Sequence, residues 1–174
     1  LRGGLIVHLE ALQFIASQLD PLPNGLHVFE IGSRNVNGSA RQAARAGQVA
    51  QWWGCDLSPG PGVDYVGPGE DAAPPWPADV VVCCEVLEHT PLTGPILANA
   101  AQRLRPGGLV LVTCATEPRR PHSAVDGGPL RHGEFYANVP PDVLRAAMAA
   151  AGLEVVDALA YLDRGDLYMA GRKC

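Results

Sequence analysis

Short apolar runs alternating with amphipathic segments of helix length constrain this chain more than any other feature. Leu26–Ile31, 49–57, 63–66, 79–84 and 109–114 are each of strand length. The runs at 79–84 and 109–114 are apolar almost throughout, the pattern of strands buried on both faces. Leu5, Leu9, Leu12, Ile15 and Leu19 recur at three- and four-residue steps, which predicts a helix before the first strand, stopped by Pro21 and Pro23-Asn24-Gly25. Further helices are expected at 39–46 and 94–104, the latter closed by an Arg105-Pro106-Gly107-Gly108 turn. Pro140-Pro141-Asp142 opens the last helix, with Val143, Leu144, Ala147, Met148 and Ala151 on one face and Gly152 as its cap. Leu153–Tyr161 and 167–172 then read as closing strands. Strands alternating with helices form a mostly parallel sheet covered on both faces. The last two strands are too close in sequence for a parallel crossover, so they must pair antiparallel.

With 174 residues, the chain is about one domain long. It is expected to form a single domain over 1–174, with 1–25 as N-terminal helix and linker. Residues 115–139 show no clear periodicity, and a loop of that length in a compact domain is usually functional or partly disordered. No apolar run approaches the roughly 20 residues of a membrane helix, and the N-terminal stretch is broken by His8, Glu10, Gln13 and Gln18. Neither a membrane association nor a secretory leader is expected. The five cysteines form no CxxC pair, and Cys55, Cys83, Cys84 and Cys114 lie in strand-like runs. Buried free thiols in a reducing, cytoplasmic setting account for them. Net charge is −5, and the basic residues are scattered apart from Arg119-Arg120. A duplex-binding surface needs a basic face, so bulk nucleic acid is not an expected partner.

In a doubly wound sheet, ligands bind outside the carboxyl ends of the strands where strand order reverses. That rule sets 30–38 and Asp56 on opposite sides of one crevice. Gly32 lets the backbone turn tightly and approach a ligand. Asp56, ending its strand, is placed to accept the two hydroxyls of a ribose. Taken singly, these are a turn glycine and a strand-capping acid; together they point to an adenosine-type ligand.

His27-Val28-Phe29-Glu30-Ile31-Gly32-Ser33 resembles the first motif of class I (Rossmann-like) S-adenosylmethionine-dependent methyltransferases. Trp53-Gly54-Cys55-Asp56-Leu57-Ser58 resembles their second motif, and the stretch 79–89, ending Cys84-Glu85-Val86-Leu87-Glu88-His89, their fourth. Leu104-Arg105-Pro106-Gly107-Gly108-Leu109 is similar to the turn before their fifth strand. The blocks occur in order, from about Leu26 onward. The resemblance implies a doubly wound α/β fold with a seven-stranded sheet of order 3-2-1-4-5-7-6 and helices on both faces. It implies S-adenosylmethionine as cofactor, with Glu30 helping to hold the methionine part, Gly32 under the cofactor, Asp56 on the ribose, and Ser33, Asn37 and Leu57 among the binding residues. The segment 67–71, Gly69 and Glu70 included, would meet adenine through its backbone, with Cys84 and Glu85 bordering the cofactor. Two features depart from the common pattern. Arg34 and Val36 stand where further glycines are usual, so Asn35 or Asn37 is expected to take the left-handed conformation. Pro68 stands where an adenine-contacting acid is often found. The loop resembles a branch with an IGSxNxNGS-type sequence.

Methyl transfer from a sulfonium is an in-line displacement that depends on orientation and, for an oxygen or nitrogen acceptor, on a base. The chain lacks the Asn-Pro-Pro-Tyr and Pro-Cys motifs of DNA methyltransferases. Residues 116–139 hold His122, Asp126, His132, Glu134, Tyr136 and Asn138, with Gly127, Gly128 and Gly133 for mobility, and suit a lid over the acceptor. His122 is the expected base, with His89 beside it and Tyr136 as a pocket wall. Glu85, Glu88 and His89, with His122 as a fourth ligand, resemble the metal-binding E-x-x-E-H of some O-methyltransferases. The same stretch occurs in relatives without metal, and no metal is expected here. The acceptor is expected to be a small molecule, with oligomerisation left open. Two other functions compete: a cofactor-binding protein without catalysis, and an NAD-dependent oxidoreductase, because an acid after the second strand also reads an NAD ribose.

Overall fold

The computed structural model describes residues 9–36 and 38–174. Seven strands form one sheet: β1 (Leu26–Ile31), β2 (Val49–Asp56), β3 (Tyr65–Val66), β4 (Ala78–Cys84), β5 (Leu104–Ala115), β6 (Leu153–Tyr161) and β7 (Asp166–Lys173). Their order is β3-β2-β1-β4-β5-β7-β6. β1 to β5 run parallel, while β7 pairs antiparallel with both β5 and β6. This is the doubly wound topology expected from the sequence, its reversal point lying between β1 and β4.

Period-two alternation sorts the central strands onto two cores. Val28, Val80, Val82, Leu109 and Leu111 face α1 (Leu9–Leu19), where Phe14 stacks on Tyr168 at 5.5 Å between ring centroids. Phe29, Val81, Cys83, Val110 and Val112 belong to the other core, with Leu97 of α2 (Thr93–Arg103) and Leu144 and Met148 of α3 (Pro141–Ala150). Cys55, Cys83, Cys84 and Cys114 are buried free thiols, and Cys174 is exposed. Among the described residues, no helix is long and apolar enough to cross a membrane.

Four local expectations change. Leu5 lies outside the described residues, and Leu9 is 65% exposed. The buried face of α1 is Ala11, Phe14, Ile15 and Leu19, a stripe rotated toward the aromatic residue. Val143 of α3 is likewise exposed, while Leu144 and Met148 carry the packing. The helix expected at 39–46 is only a 3-10 turn, Ala40–Ala43, capped by the Ser39 hydroxyl, which accepts from Arg41 N at 3.2 Å. Its continuation is diverted because Arg45 N donates to Gln48 Oε1 (3.1 Å) and Gln48 Nε2 donates to the Leu19 carbonyl (2.7 Å). Finally, Arg105–Gly108 does not precede β5 but bulges within it. Leu104 pairs with Ala78 and Leu109 with Val80, so the extra residues loop out, with Gly107 at φ 77°.

Candidate functional site

A cavity of about 390 Å³ opens at the carboxyl ends of β1, β2 and β4. That size suits a small-molecule or cofactor site. Glu30, Gly32, Ser33, Asp56, Leu57, Gly69, Glu70, Cys84, Glu85 and His89 all line it. The cofactor residues expected from the sequence therefore share one cavity, apart from Asn37, which lies outside the described residues.

The chain leaves β1 through Gly32 at φ 76°, a conformation glycine adopts without strain. A Cβ there would stand 2.3 Å from Val86 Cγ2, so the β1 and β4 exits pack against each other at this point. Gly32 N and Ser33 N both donate to the Cys55 carbonyl, at 2.9 and 3.0 Å. Asn35 does not take the left-handed conformation: among the described residues Glu85 alone does so without being glycine. Asn35 works instead through its side chain, its Oδ1 accepting from Gly38 N at 3.1 Å, while its own amide donates to the Pro61 carbonyl at 2.9 Å. Gly38, at φ 132°, makes the turn.

Asp56 is fixed by the backbone around it. Its Oδ2 accepts from Arg34 N at 3.2 Å and its Oδ1 from Ser58 N at 2.9 Å. Each oxygen retains acceptor capacity toward the cavity. Gly67, Pro68, Gly69 and Glu70 line the next wall. Asn99 of α2 holds that wall by donating from Nδ2 to the carbonyls of Gly69 (2.7 Å) and Ala72 (2.8 Å). Asn99 escaped notice in the sequence, although a polar residue on the apolar stripe of α2 was a signal.

Glu30 is 3% exposed, and burial pushes its carboxyl up to about 7, against the pull of Arg41. Arg41 Nε donates to Glu30 Oε2 at 3.1 Å. Nothing in the sequence pairs these two residues.

On the β4 side, Glu85 sits at φ 55°, an uncommon conformation for a residue with a side chain. Its amide donates to the Thr113 carbonyl at 2.8 Å, and burial pushes its carboxyl up to about 7, opposed by the Thr113 hydroxyl and Arg119. Glu88 and His89 follow on a 3-10 turn, Leu87–His89. Glu88 is fully buried; the backbone amides of Glu88 and Ala115 favour its ionised form, and among the described residues neither oxygen meets a donor in full hydrogen-bonding geometry. Burial and the neighbouring Glu85 hold this carboxyl well above the usual range. His89 Nδ1 is also buried, with no hydrogen-bond partner among the described residues, and burial followed by His122 brings its ring down to about 4.

His122 and Tyr136 reach the site through His89. The three rings meet edge-on, with centroids 5.0 Å (His89–His122), 5.5 Å (His89–Tyr136) and 4.9 Å (His122–Tyr136) apart. Tyr136 donates from its hydroxyl to Asn138 Oδ1 at 2.9 Å, and Asn138 Nδ2 donates to the Arg119 carbonyl at 2.9 Å. Arg119 forms an ion pair with Asp166 of β7. From residues 116–139 the cavity itself is lined by Ala124 and Val125, not by His122 or Tyr136. Glu88, His89 and His122 bring ligand atoms within 4.8 Å of one another, and Glu85 is not part of that group. As a donor set for a divalent ion, one buried carboxylate and two imidazoles are chemically suitable, and among the described residues no side chain pairs with Glu88.

A family model described as a methyltransferase domain matches residues 3–158. The chain belongs to that family. No curated protein sequence matches it. Among solved structures, this methyltransferase-domain protein is similar to Burkholderia thailandensis 1,6-didemethyltoxoflavin-N1-methyltransferase, whose structure holds 1,6-didemethyltoxoflavin and S-adenosylhomocysteine. The TM-score is 0.69 at 18% identity, covering 98% of this chain and 79% of the other. It is also similar to the N-methyltransferase NodS from Bradyrhizobium japonicum, with a TM-score of 0.66, 15% identity and coverage of 94% and 85%. The [4+2]-cyclase SpnF superposes with a TM-score of 0.72 at 14% identity, covering 94% of this chain and 80% of that one. At these identities the likeness establishes the fold, and chemistry has to be argued from the site.

Proposed function

We propose that this protein is an S-adenosylmethionine-dependent methyltransferase acting on an oxygen or nitrogen acceptor carried by a small molecule. One observation carries the reading: a single cavity joins a buried acid at the end of β1, an acid at the end of β2 and an imidazole beyond β4. An amino-acid ammonium, a ribose and a reacting centre need that sequence of groups. Glu30, Gly32, Ser33 and Asn37 take the methionine end, Asp56 and Leu57 the ribose, and Gly69 and Glu70 the adenine. Cys84 and Glu85 border the sulfonium. S-adenosylmethionine bound there would supply an electrophilic methyl group, and these residues would hold its sulfonium end in line with an acceptor. The proton the acceptor loses goes to His122, which meets the cavity through the neutral His89 ring, with Tyr136 packed edge-on against both imidazoles. Residues 116–139 act as the lid, and the reaction is assigned to the cytoplasm.

Calorimetry with S-adenosylmethionine, S-adenosylhomocysteine and NAD tests the cofactor. Binding of the two methyl-cycle ligands without NAD supports the reading; binding of neither overturns it.

The convergence of Glu88, His89 and His122, whose ligand atoms lie within 4.8 Å of one another, favours one secondary reading, in which a divalent ion sits among them with Glu85 nearby. Bound there, it would supply an acid that lowers the pKa of an acceptor hydroxyl. Titration of Mg²⁺, Mn²⁺ or Zn²⁺ into the S-adenosylhomocysteine complex decides it: absence of binding, with no effect of chelator on turnover, removes the metal.

A further inference from the structure

The methionine end of the cavity contains an ion pair whose strength decides the charge of the cavity's most buried acid. Arg41 donates from Nε to Glu30 Oε2 at 3.1 Å and from Nη2 to the Gly62 carbonyl at 2.8 Å. The same guanidinium stands 3.8 Å from Asp64 Oδ2 and lies over the Trp52 ring, 5.6 Å from its centroid. The 3-10 turn, β2 and the 62–64 loop thus fix one cation against one acid. Few other groups favour a charge on Glu30. The Ala40 amide donates to it, whereas Asp56 on β2 opposes its ionisation. The thiols facing it, Cys55 on β2 and Cys84 on β4, are themselves held neutral by burial. Glu85 lines the same cavity from the end of β4.

We propose that Arg41 is a positioning residue that keeps Glu30 ionised and held at the cavity wall, so that the α-ammonium of the bound cofactor meets an anion. The proposal rests on the S-adenosylmethionine reading above. Even with Arg41 in place, burial brings the Glu30 carboxyl up to about 7. Without the cation, the strongest opposition to desolvation disappears and the carboxyl is neutral at neutral pH. The ammonium would then be buried against a neutral acid, and the adenosine end, bound elsewhere in the cavity, would be unaffected.

Two probes separate these ends: S-adenosylhomocysteine, which carries the amino-acid group, and 5′-methylthioadenosine, which lacks it. Calorimetry on the full chain between about pH 6 and 8.5 should show S-adenosylhomocysteine affinity falling up to about tenfold per pH unit below the Glu30 pKa, and methylthioadenosine affinity staying flat. Arg41→Gln should weaken S-adenosylhomocysteine about tenfold or more at pH 7, move its profile to higher pH, and leave methylthioadenosine within about twofold. Arg41→Lys should restore much of the affinity, and Glu30→Gln should bind S-adenosylhomocysteine weakly at every pH. An Arg41→Gln profile with an unshifted midpoint overturns the proposal. Equal loss of both probes overturns it too, because that marks a structural role or a misfolded variant. If neither probe binds the wild-type protein, the cofactor reading itself fails.

Discussion

The two sides of the cavity treat their polar groups differently. On the β1–β2 side, Asp56 accepts two backbone amides, Glu30 is paired with Arg41, and Asn99 ties down the neighbouring loop. The Ser33 hydroxyl is the exception there, buried and without a hydrogen-bond partner among the described residues. On the β4 side, among the described residues neither oxygen of Glu88 nor Nδ1 of His89 makes a full hydrogen bond, and Glu85 holds an uncommon backbone conformation. Buried groups left unmade are costly, and they are retained where function needs them. The β1–β2 side holds its acids with backbone amides and a cation, whereas the β4 side leaves hydrogen-bonding capacity unused among the described residues.

Variants should separate the two sides, the greatest effect coming from the packed one. A Cβ at Gly54 would fall 2.3 Å from Ser33 Oγ and 2.4 Å from the Gly62 carbonyl. Gly54→Ala should therefore cost about 3 kcal/mol of stability, read by denaturant unfolding, and abolish S-adenosylhomocysteine binding. His122→Ala should lower kcat about 100-fold and leave the S-adenosylhomocysteine Kd unchanged. Intact turnover would remove His122 from the mechanism and leave the β4 side without its base. Asp56→Ala should weaken S-adenosylhomocysteine by about 2 kcal/mol, roughly 30-fold, through loss of a charged acceptor. An unchanged Kd would mean that the ribose lies elsewhere.

Smaller effects bear on the unsatisfied side. Glu88→Leu removes a buried, unpartnered carboxyl, so the protein should gain about 1 kcal/mol of stability while losing turnover. A destabilised variant would show that Glu88 has a structural partner after all and is not held for function. The smallest effect is a slope. Glu30 has a folded pKa of about 7, raised from 4.5. Its contribution is fully present below about pH 4.5 and is lost as pH rises to about 7, because the unfolded state ionises first. Relative to wild type, Glu30→Gln should therefore melt at a comparatively higher temperature at pH 8 than at pH 5. A constant difference would mean that the acid is not desolvated.

The strands could be read with little error because apolar runs such as 79–84 and 109–114 are buried on both faces whatever surrounds them. Helical faces were less legible. Leu9 fits the periodicity of α1 yet is exposed, because the large ring of Phe14 finds Tyr168 from β7 and sets the rotation of the helix. The first-motif loop shows the same limit: a left-handed Asn35 was a fair expectation from the missing glycines, and its side chain instead accepts from Gly38.

Local sequence determined the strands, the antiparallel closing pair and the acids that end β1 and β2, because alternation, turn chemistry and strand ends are properties of neighbouring residues. Tertiary structure alone decided which charges meet. Arg41 reaches Glu30 across 11 positions and Arg119 reaches Asp166 across 47. His89, His122 and Tyr136 become one cluster only when the segment after β5 folds back over the end of β4. Whether a buried acid is charged depends in part on that meeting, since desolvation disfavours the carboxylate and a nearby cation favours it.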